Sequence, residues 1–115
     1  PVYMLRPVPE LSEGVPKSMG WSMVKGNSDY RVSITRQHYA ERHRLAIAAQ
    51  DKAARECGVK LLDPLPYLCD DKNCYGDKDG QPIYFDSDHL SERGGALLIP
   101  LFSTVFGTQD PASTP

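Results

Sequence analysis

The chain has 115 residues, of which 40% are hydrophobic and 24% charged, and its formal net charge is −2. This composition is typical of one small globular domain rather than of a disordered chain. The weak, evenly mixed charge gives no electrostatic basis for binding nucleic acid or an anionic membrane. The longest apolar run, residues 96–102, contains a proline and falls far short of the roughly 20 residues of a membrane span.

The first predicted element is a buried strand over residues 2–5, which are apolar and partly β-branched or aromatic. Pro7 and Pro9 follow it, and neither has an N–H to donate to a ladder. The strand is therefore expected to end before them.

A long connection over residues 10–35 comes next, rich in Gly, Ser, Lys and Asp. Loops of this length are uncommon in compact domains and often functional. We predict a short helical turn around residues 15–23 and an extended piece over residues 30–34. Two interpretations remain open for the large side chains of this segment, packing into the core or lining a substrate cleft: Met19, Trp21 and Met23.

Residues 36–57 contain neither Pro nor Gly and predict one long helix. Asp51 and Arg55 are expected to pair on its solvent side, and Cys57 is expected to be a buried core thiol. Gly58 is placed to stop the helix in the left-handed conformation. The predicted apolar stripe of this helix consists of Leu45, Ala48, Ala49 and Ala53.

Residues 59–62 then predict a strand parallel to the first, so that strand, helix and strand make a βαβ crossover. Further on, Tyr75 is expected to pair with residues 83–84 across a hairpin turn at Asp79-Gly80. Ser91 is a suitable N-cap for a last helix, which is expected to run to about residue 105 and to kink or break at Pro100. Residues 110–115 are predicted to be a flexible tail, which leaves residues 1–109 as the folded part.

A carboxylate precedes a histidine by three residues at the predicted start of the last helix. A histidine that acts as a base needs a partner on its other ring nitrogen, to set the tautomer and stabilise the imidazolium. At this spacing Asp86 can fold back towards His89. Asp88 is the alternative partner, but adjacent side chains usually diverge, which favours Asp86.

Cys69 and Cys74 enclose four residues, a spacing that permits a small disulfide loop. A metal pair and two unpaired thiols are the other interpretations. A zinc site would need two more soft ligands, and no adjacent pair of cysteines or histidines supplies them.

Several segments, in this order and spacing, resemble the C-terminal part of an SGNH hydrolase-type domain, of the variant fused to membrane acyltransferases that O-acetylate bacterial surface sugars. The Asp86-x-x-His89 block resembles the one that closes the catalytic site of that family. No Gly-Asp-Ser nucleophile turn and no Gly-x-Asn-Asp loop occur in the sequence. The segments that carry the resemblance, apart from that block, are residues 1–10, 57–64 and 68–84, together with Leu90-Ser91 and Gly94-Gly95.

The resemblance implies an α/β fold, the C-terminal portion of a three-layer α/β/α, flavodoxin-like domain with parallel strands and a small hairpin before the last helix. Two parallel strands alone leave open edges and uncovered faces. We therefore expect this chain to pair with the missing N-terminal half of the same domain or with a second copy of itself.

The resemblance also implies a function, acyl transfer to a carbohydrate hydroxyl by a Ser-His-Asp triad in which His89 is the base and Asp86 its orienter. The chain alone is expected to be inactive and to hold no cofactor or metal, while the absent membrane domain uses acyl-CoA. An extracytoplasmic, membrane-tethered location is implied, and with it a Cys69–Cys74 disulfide. A carbohydrate esterase, a non-catalytic glycan-binding or assembly module, and an unrelated βαβ interaction domain are the alternatives.

Overall fold

The computed structural model describes residues 1–107. Short helices and strands alternate along this part of the chain. In order they are β1 (Tyr3–Leu5), α1 (Val15–Val24), β2 (Ser33–Thr35), α2 (Arg36–Arg42), α3 (Arg44–Cys57), β3 (Lys60–Leu62), α4 (Leu65–Leu68), β4 (Asn73–Tyr75), β5 (Asp77–Lys78), β6 (Gln81–Pro82), α5 (Glu92–Ala96) and α6 (Ile99–Ser103). The predicted tail, residues 110–115, and its boundary at residue 109 lie outside the described residues. None of the described helices has the length and apolar character needed to cross a bilayer.

The predicted parallel strand pair is present. β1 and β3 run parallel, with Met4 opposite Leu61 and Leu5 opposite Leu62. Gly58, with φ of 71°, ends α3 in the left-handed conformation, as predicted, and turns the chain into β3. This mixed helix and strand content with parallel strands confirms the α/β class.

The predicted single helix over residues 36–57 is two helices, separated at His43. Helix propensity is a weak preference, and tertiary anchors override it here. Tyr39 of α2 donates a hydrogen bond from its hydroxyl to the carbonyl of Pro7, at 2.6 Å. Gln50 of α3 donates instead to the carbonyl of Leu5, at 2.9 Å. The two helices are thus fixed to β1 and the turn after it at separate points.

The prediction that the apolar stripe beginning at Leu45 forms the buried face of α3 is wrong. Leu45 is 78% exposed, and Ala48 and Ala49 are exposed as well. α3 turns its polar side chains towards Arg6 at the end of β1, whose guanidinium lies 2.6 Å from the Asp51 carboxylate. The expected pair of Asp51 with Arg55 is therefore also wrong, because Asp51 pairs instead with Arg6, the residue that follows β1.

Cys57, expected to be a core thiol, is exposed and free. Cys69 and Cys74 have their sulfur atoms at bonding distance and their Cα atoms 4.0 Å apart. Between them Asp70 accepts hydrogen bonds from the N–H groups of Lys72 and Asn73, at 2.9 and 2.7 Å. The loop is therefore tightly turned by its own side chain.

The cysteine arrangement makes a simple prediction for the protein purified without reductant. Intact-mass and peptide mapping are expected to find Cys69 linked to Cys74, while exposed Cys57 is alkylated by iodoacetamide. Two alkylated thiols at positions 69 and 74 would contradict it.

The core lies under α1, α2 and the antiparallel pairs rather than at the parallel strands. β2 pairs with β4, which places Tyr75 opposite Ser33 instead of opposite residues 83–84 as expected. The predicted Asp79-Gly80 turn is present and joins β5 to β6, with φ of 52° and 77° at its two residues. The buried cluster includes Leu11, Val15, Val32, Ile34, Tyr39, Leu65, Leu68, Cys74, Ile83, Tyr84 and Leu98.

The C-terminal helical segment begins and breaks as predicted. The Ser91 hydroxyl caps α5 by accepting from the N–H of Gly94, at 3.2 Å. Pro100 stands in the first turn of α6, after the break at Leu97 and Leu98. The short α5 therefore starts directly after the segment that carries the candidate site.

Candidate active site

The Asp86–His89 segment is a tight turn that the Asp86 carboxylate organises. Its Oδ1 atom accepts hydrogen bonds from the backbone N–H of Asp88, at 2.9 Å, and of His89, at 2.7 Å. An aspartate that accepts from N–H groups two and three residues later is a common turn device. The Oδ1 atom therefore fixes the backbone conformation of the turn, and the Oδ2 atom remains free to accept from another group.

That second oxygen, Oδ2, lies 2.8 Å from Nδ1 of His89. The distance lies within the predicted range of about 2.6–3.2 Å. The Asp88 carboxylate is farther from Nδ1, at 3.4 Å. The structure thus brings together the two predicted residues in the predicted pairing. The side chain of His89 is 67% exposed, and within residues 1–107 its Nε2 atom has no hydrogen-bond partner.

The electrostatics of the turn favour a charged pair. The backbone N–H groups of Asp88 and His89, followed by the His89 side chain, lower the pKa of the Asp86 carboxyl to about 2. The hydrogen bond to Asp86 and the negative charges of Asp86 and Asp88 raise the pKa of His89 above its usual value. Asp86 is therefore a permanent acceptor at neutral pH, which places the Nδ1 proton of neutral His89 between the two side chains.

Backbone hydrogen bonds fasten this turn to the N-terminal part of the chain. The carbonyl of Asp86 accepts from the N–H of Val15, at 3.2 Å, and that of Ser87 from the N–H of Leu11, at 2.7 Å. Within the turn, the N–H of Phe85 donates to the carbonyl of His89, at 2.9 Å. The Asp86–His89 pair, called the dyad below, is thus held by backbone hydrogen bonds against the start of α1 and the segment that precedes it.

Two residues support the site in a way that the sequence did not predict. Tyr84, 1% exposed, donates from its hydroxyl to the carbonyl of Pro9, at 2.6 Å. A Cβ atom at Gly94 would lie 2.0 Å from the carbonyl oxygen of Ile83. The apolar neighbours of Tyr84 in the sequence indicate that it is buried. A buried tyrosine hydroxyl needs a hydrogen-bond partner, and this signal could have pointed to its contact. No local signal distinguishes Gly94 from Gly95.

Asp86, Asp88 and His89 offer ligand atoms within 4.8 Å of one another. The hydrogen bonds of the turn already engage both oxygens of Asp86 and Nδ1 of His89. This donor set fits an oriented histidine better than a metal site, because a metal ion would compete with the contacts that shape the turn.

The charge assignment can be measured in the protein as it stands. In an NMR titration of the His89 ring, we expect a pKa above the usual value of about 6.5. Asp86→Asn should lower it, because the hydrogen bond and the nearer charge are lost together. Asp88→Asn is the matched control and should lower it less, since the Asp88 carboxylate lies farther from Nδ1, at 3.4 Å, and raises the pKa of His89 less than Asp86 does. A larger drop in the control would reverse the assignment of the partner.

An Asp–His pair with one ring nitrogen left accessible is the kind of site that hydrolases use for acid–base chemistry. The family model for the SGNH domain (fused to AT3 domains) matches residues 1–104, and the chain belongs to that family. The match confirms the resemblance to the SGNH domains fused to acyltransferases. No curated protein and no solved structure matches the chain.

Proposed function

We propose that the chain supplies the acid–base pair of an extracytoplasmic SGNH-type O-acyltransferase that acts on carbohydrate hydroxyls. The observation that carries the proposal is the 2.8 Å contact of Asp86 Oδ2 with His89 Nδ1, which leaves Nε2 accessible. This is the arrangement that a general base requires towards a nucleophilic hydroxyl.

In the proposed reaction, Nε2 of His89 takes the proton of a serine hydroxyl while the serine oxygen attacks the acyl carbonyl carbon. The resulting imidazolium returns that proton to the leaving group as the tetrahedral intermediate collapses to an acyl-enzyme. In the second step Nε2 takes the proton of the sugar hydroxyl while its oxygen attacks the acyl-enzyme carbonyl. The bond between the serine oxygen and the acyl carbon then breaks, and the imidazolium returns the proton to that serine oxygen, which leaves the acylated sugar and the free serine. Asp86 holds the tautomer in both steps. The serine and the oxyanion donors would come from chain outside this one.

A carbohydrate esterase is the second candidate, and the exposure of the His89 side chain favours it. Water that reaches Nε2 can replace the sugar hydroxyl as acceptor, and the product is then a free acid. The intact dyad speaks against a third role as a purely non-catalytic glycan-binding module.

An experiment separates these candidates. The complete protein would be supplied with an activated acetyl donor and an oligosaccharide acceptor, and both acetylated sugar and free acetate would be measured. We expect acetylated sugar to exceed acetate, and both to fall to background in His89→Ala. Acetate alone would favour the esterase, and products unaffected by His89→Ala would reject the dyad as catalytic.

We further propose that the parallel strand pair continues in a larger, three-layer sheet. Among residues 1–107, β1 and β3 each have one strand neighbour, so each has an open edge. Met4 in β1 and Val2 just before it are 37% and 62% exposed, and Leu45 on α3 is 78% exposed. Parallel sheets are normally covered on both faces. The N-terminal half of the same domain is the occupant that we propose for these edges and faces.

This proposal predicts the behaviour of the 115-residue chain by itself. We expect it to hydrolyse no aryl acetate, because the nucleophile is supplied from outside, and to enhance ANS fluorescence through its uncovered apolar surface. Sedimentation would reveal whether a second copy covers that surface instead. A monomer that excludes ANS would contradict the half-domain proposal.

A further inference from the structure

The outer side of α1 forms a groove that the dyad does not use. It is an open cavity of about 420 Å³ beside an indole ring that is 57% exposed. An exposed tryptophan beside polar groups can serve as a binding platform, since its ring offers an apolar face and its N–H a donor. The lining residues are Glu13, Ser18, Trp21, Ser22, Lys25 and Tyr30.

Polar groups around the indole are held in place by one another. The Tyr30 hydroxyl donates a hydrogen bond to the Glu13 carboxylate, and the Ser18 hydroxyl donates to Glu13 Oε2 at 3.3 Å. Lys25 extends across the ring, with Nζ 5.7 Å from its centroid. That distance is close to the roughly 6 Å limit of a cation–π contact. The groove thus combines one apolar platform with a carboxylate, an ammonium and hydroxyl groups.

Backbone hydrogen bonds join one of the segments that line the groove to the turn that carries the dyad. Glu13 lies between Leu11 and Val15, whose N–H groups donate to the carbonyls of Ser87 and Asp86. Trp21 lies six residues further along α1 than Val15, about 9 Å of helical rise. A ligand on the indole is therefore positioned by the same helix that fastens the Asp86–His89 turn.

We propose that this groove is the acceptor subsite, which binds a pyranose unit of an oligosaccharide. The C–H face of the sugar would stack on Trp21, while Glu13, Tyr30 and Lys25 meet its hydroxyl groups. A pyranose combines one apolar face with a rim of hydroxyls, and this matches the composition of the groove. The identification of the ligand as carbohydrate rests on the proposed function.

The test measures binding apart from turnover. Saturation-transfer NMR and titration calorimetry would use the complete protein carrying His89→Ala, with maltose, cellobiose and N,N′-diacetylchitobiose as probes. We expect one or more probes to bind, Trp21→Ala to weaken that binding at least tenfold, and Trp21→Phe to restore part of it. Val24→Ala is the matched control, because Val24 is 79% exposed on the same helix and lies outside the groove.

Unchanged thermal unfolding of the variants excludes a folding defect as the cause. The subsite is rejected if no probe binds, or if Trp21→Ala binds as tightly as the unsubstituted protein. Failure of the proposed catalysis is distinguishable, because it shows as absent aryl acetate turnover by the unsubstituted protein, whereas probe binding is measured in protein that carries His89→Ala and does not depend on turnover.

Discussion

Replacing His89 by alanine in the complete enzyme is expected to lower kcat for an aryl acetate by a factor on the order of 10⁴–10⁶. Without the imidazole no group takes the proton of the nucleophile. The fold should remain intact, because the His89 side chain is 67% exposed and alanine keeps both backbone hydrogen bonds of this position, with the Phe85 N–H and with Asp86 Oδ1. Steady-state kinetics with thermal unfolding as the control would measure both effects.

Asp86→Asn should reduce kcat by a factor on the order of 10³–10⁴ through the tautomer of His89. The asparagine oxygen can still accept from the N–H groups of Asp88 and His89, so the turn is kept. Its amide NH₂ then donates to Nδ1, which moves the ring proton to Nε2 and prevents that atom from accepting. Asp88→Asn is the matched control and should change kcat only a few-fold, because its carboxylate lies 3.4 Å from Nδ1.

The pH dependence follows from the same contacts. His89 must be neutral to act as a base, so kcat/KM should rise with pH as His89 loses its proton, with a midpoint above about 6.5. In Asp86→Asn the residual activity should have this midpoint at lower pH, because the charge that stabilises the imidazolium is gone. A loss of activity in Asp88→Asn as large as that in Asp86→Asn would contradict the assignment of Asp86 as the residue that orients His89.

Gly94→Ala is expected to destabilise the protein by about 3 kcal/mol or more. The new Cβ would lie 2.0 Å from the carbonyl oxygen of Ile83 and 3.0 Å from Cδ2 of Leu90. Ile83 is buried, and its carbonyl accepts the N–H of Ser91 at 2.9 Å, so it cannot retreat without opening the turn that carries the dyad.

Gly95→Ala provides the matched control for this substitution. A Cβ at Gly95 would meet nothing within 4 Å, and alanine is the better helix former. We expect this variant to unfold at the same urea concentration as the unsubstituted protein or at a slightly higher one. Chemical unfolding of the complete domain would measure both changes. Equal stability of the two variants would show that the Ile83 carbonyl is not a rigid neighbour.

The parts of the structure that were predictable from the sequence depend on contacts between near neighbours in the chain. Asp86 reaches His89 within one turn, Ser91 caps the helix that follows it, and Asp79-Gly80 makes a hairpin. Gly58 ends its helix by the conformation that its missing side chain allows. In each case the partners lie within a few residues, so their spacing alone limits the geometry.

Tertiary contacts decided the rest. Arg6 selects the side of α3 that faces the sheet by pairing with Asp51, 45 residues away, and this leaves Leu45 in solvent. Tyr84 reaches the carbonyl of Pro9 across 75 residues, which seats the dyad's turn on the N-terminal segment. The sequence by itself determined the dyad, because a short turn brings its two members together. Only the tertiary structure decided what supports that turn and which helix face is buried, because those contacts join residues that no local spacing relates.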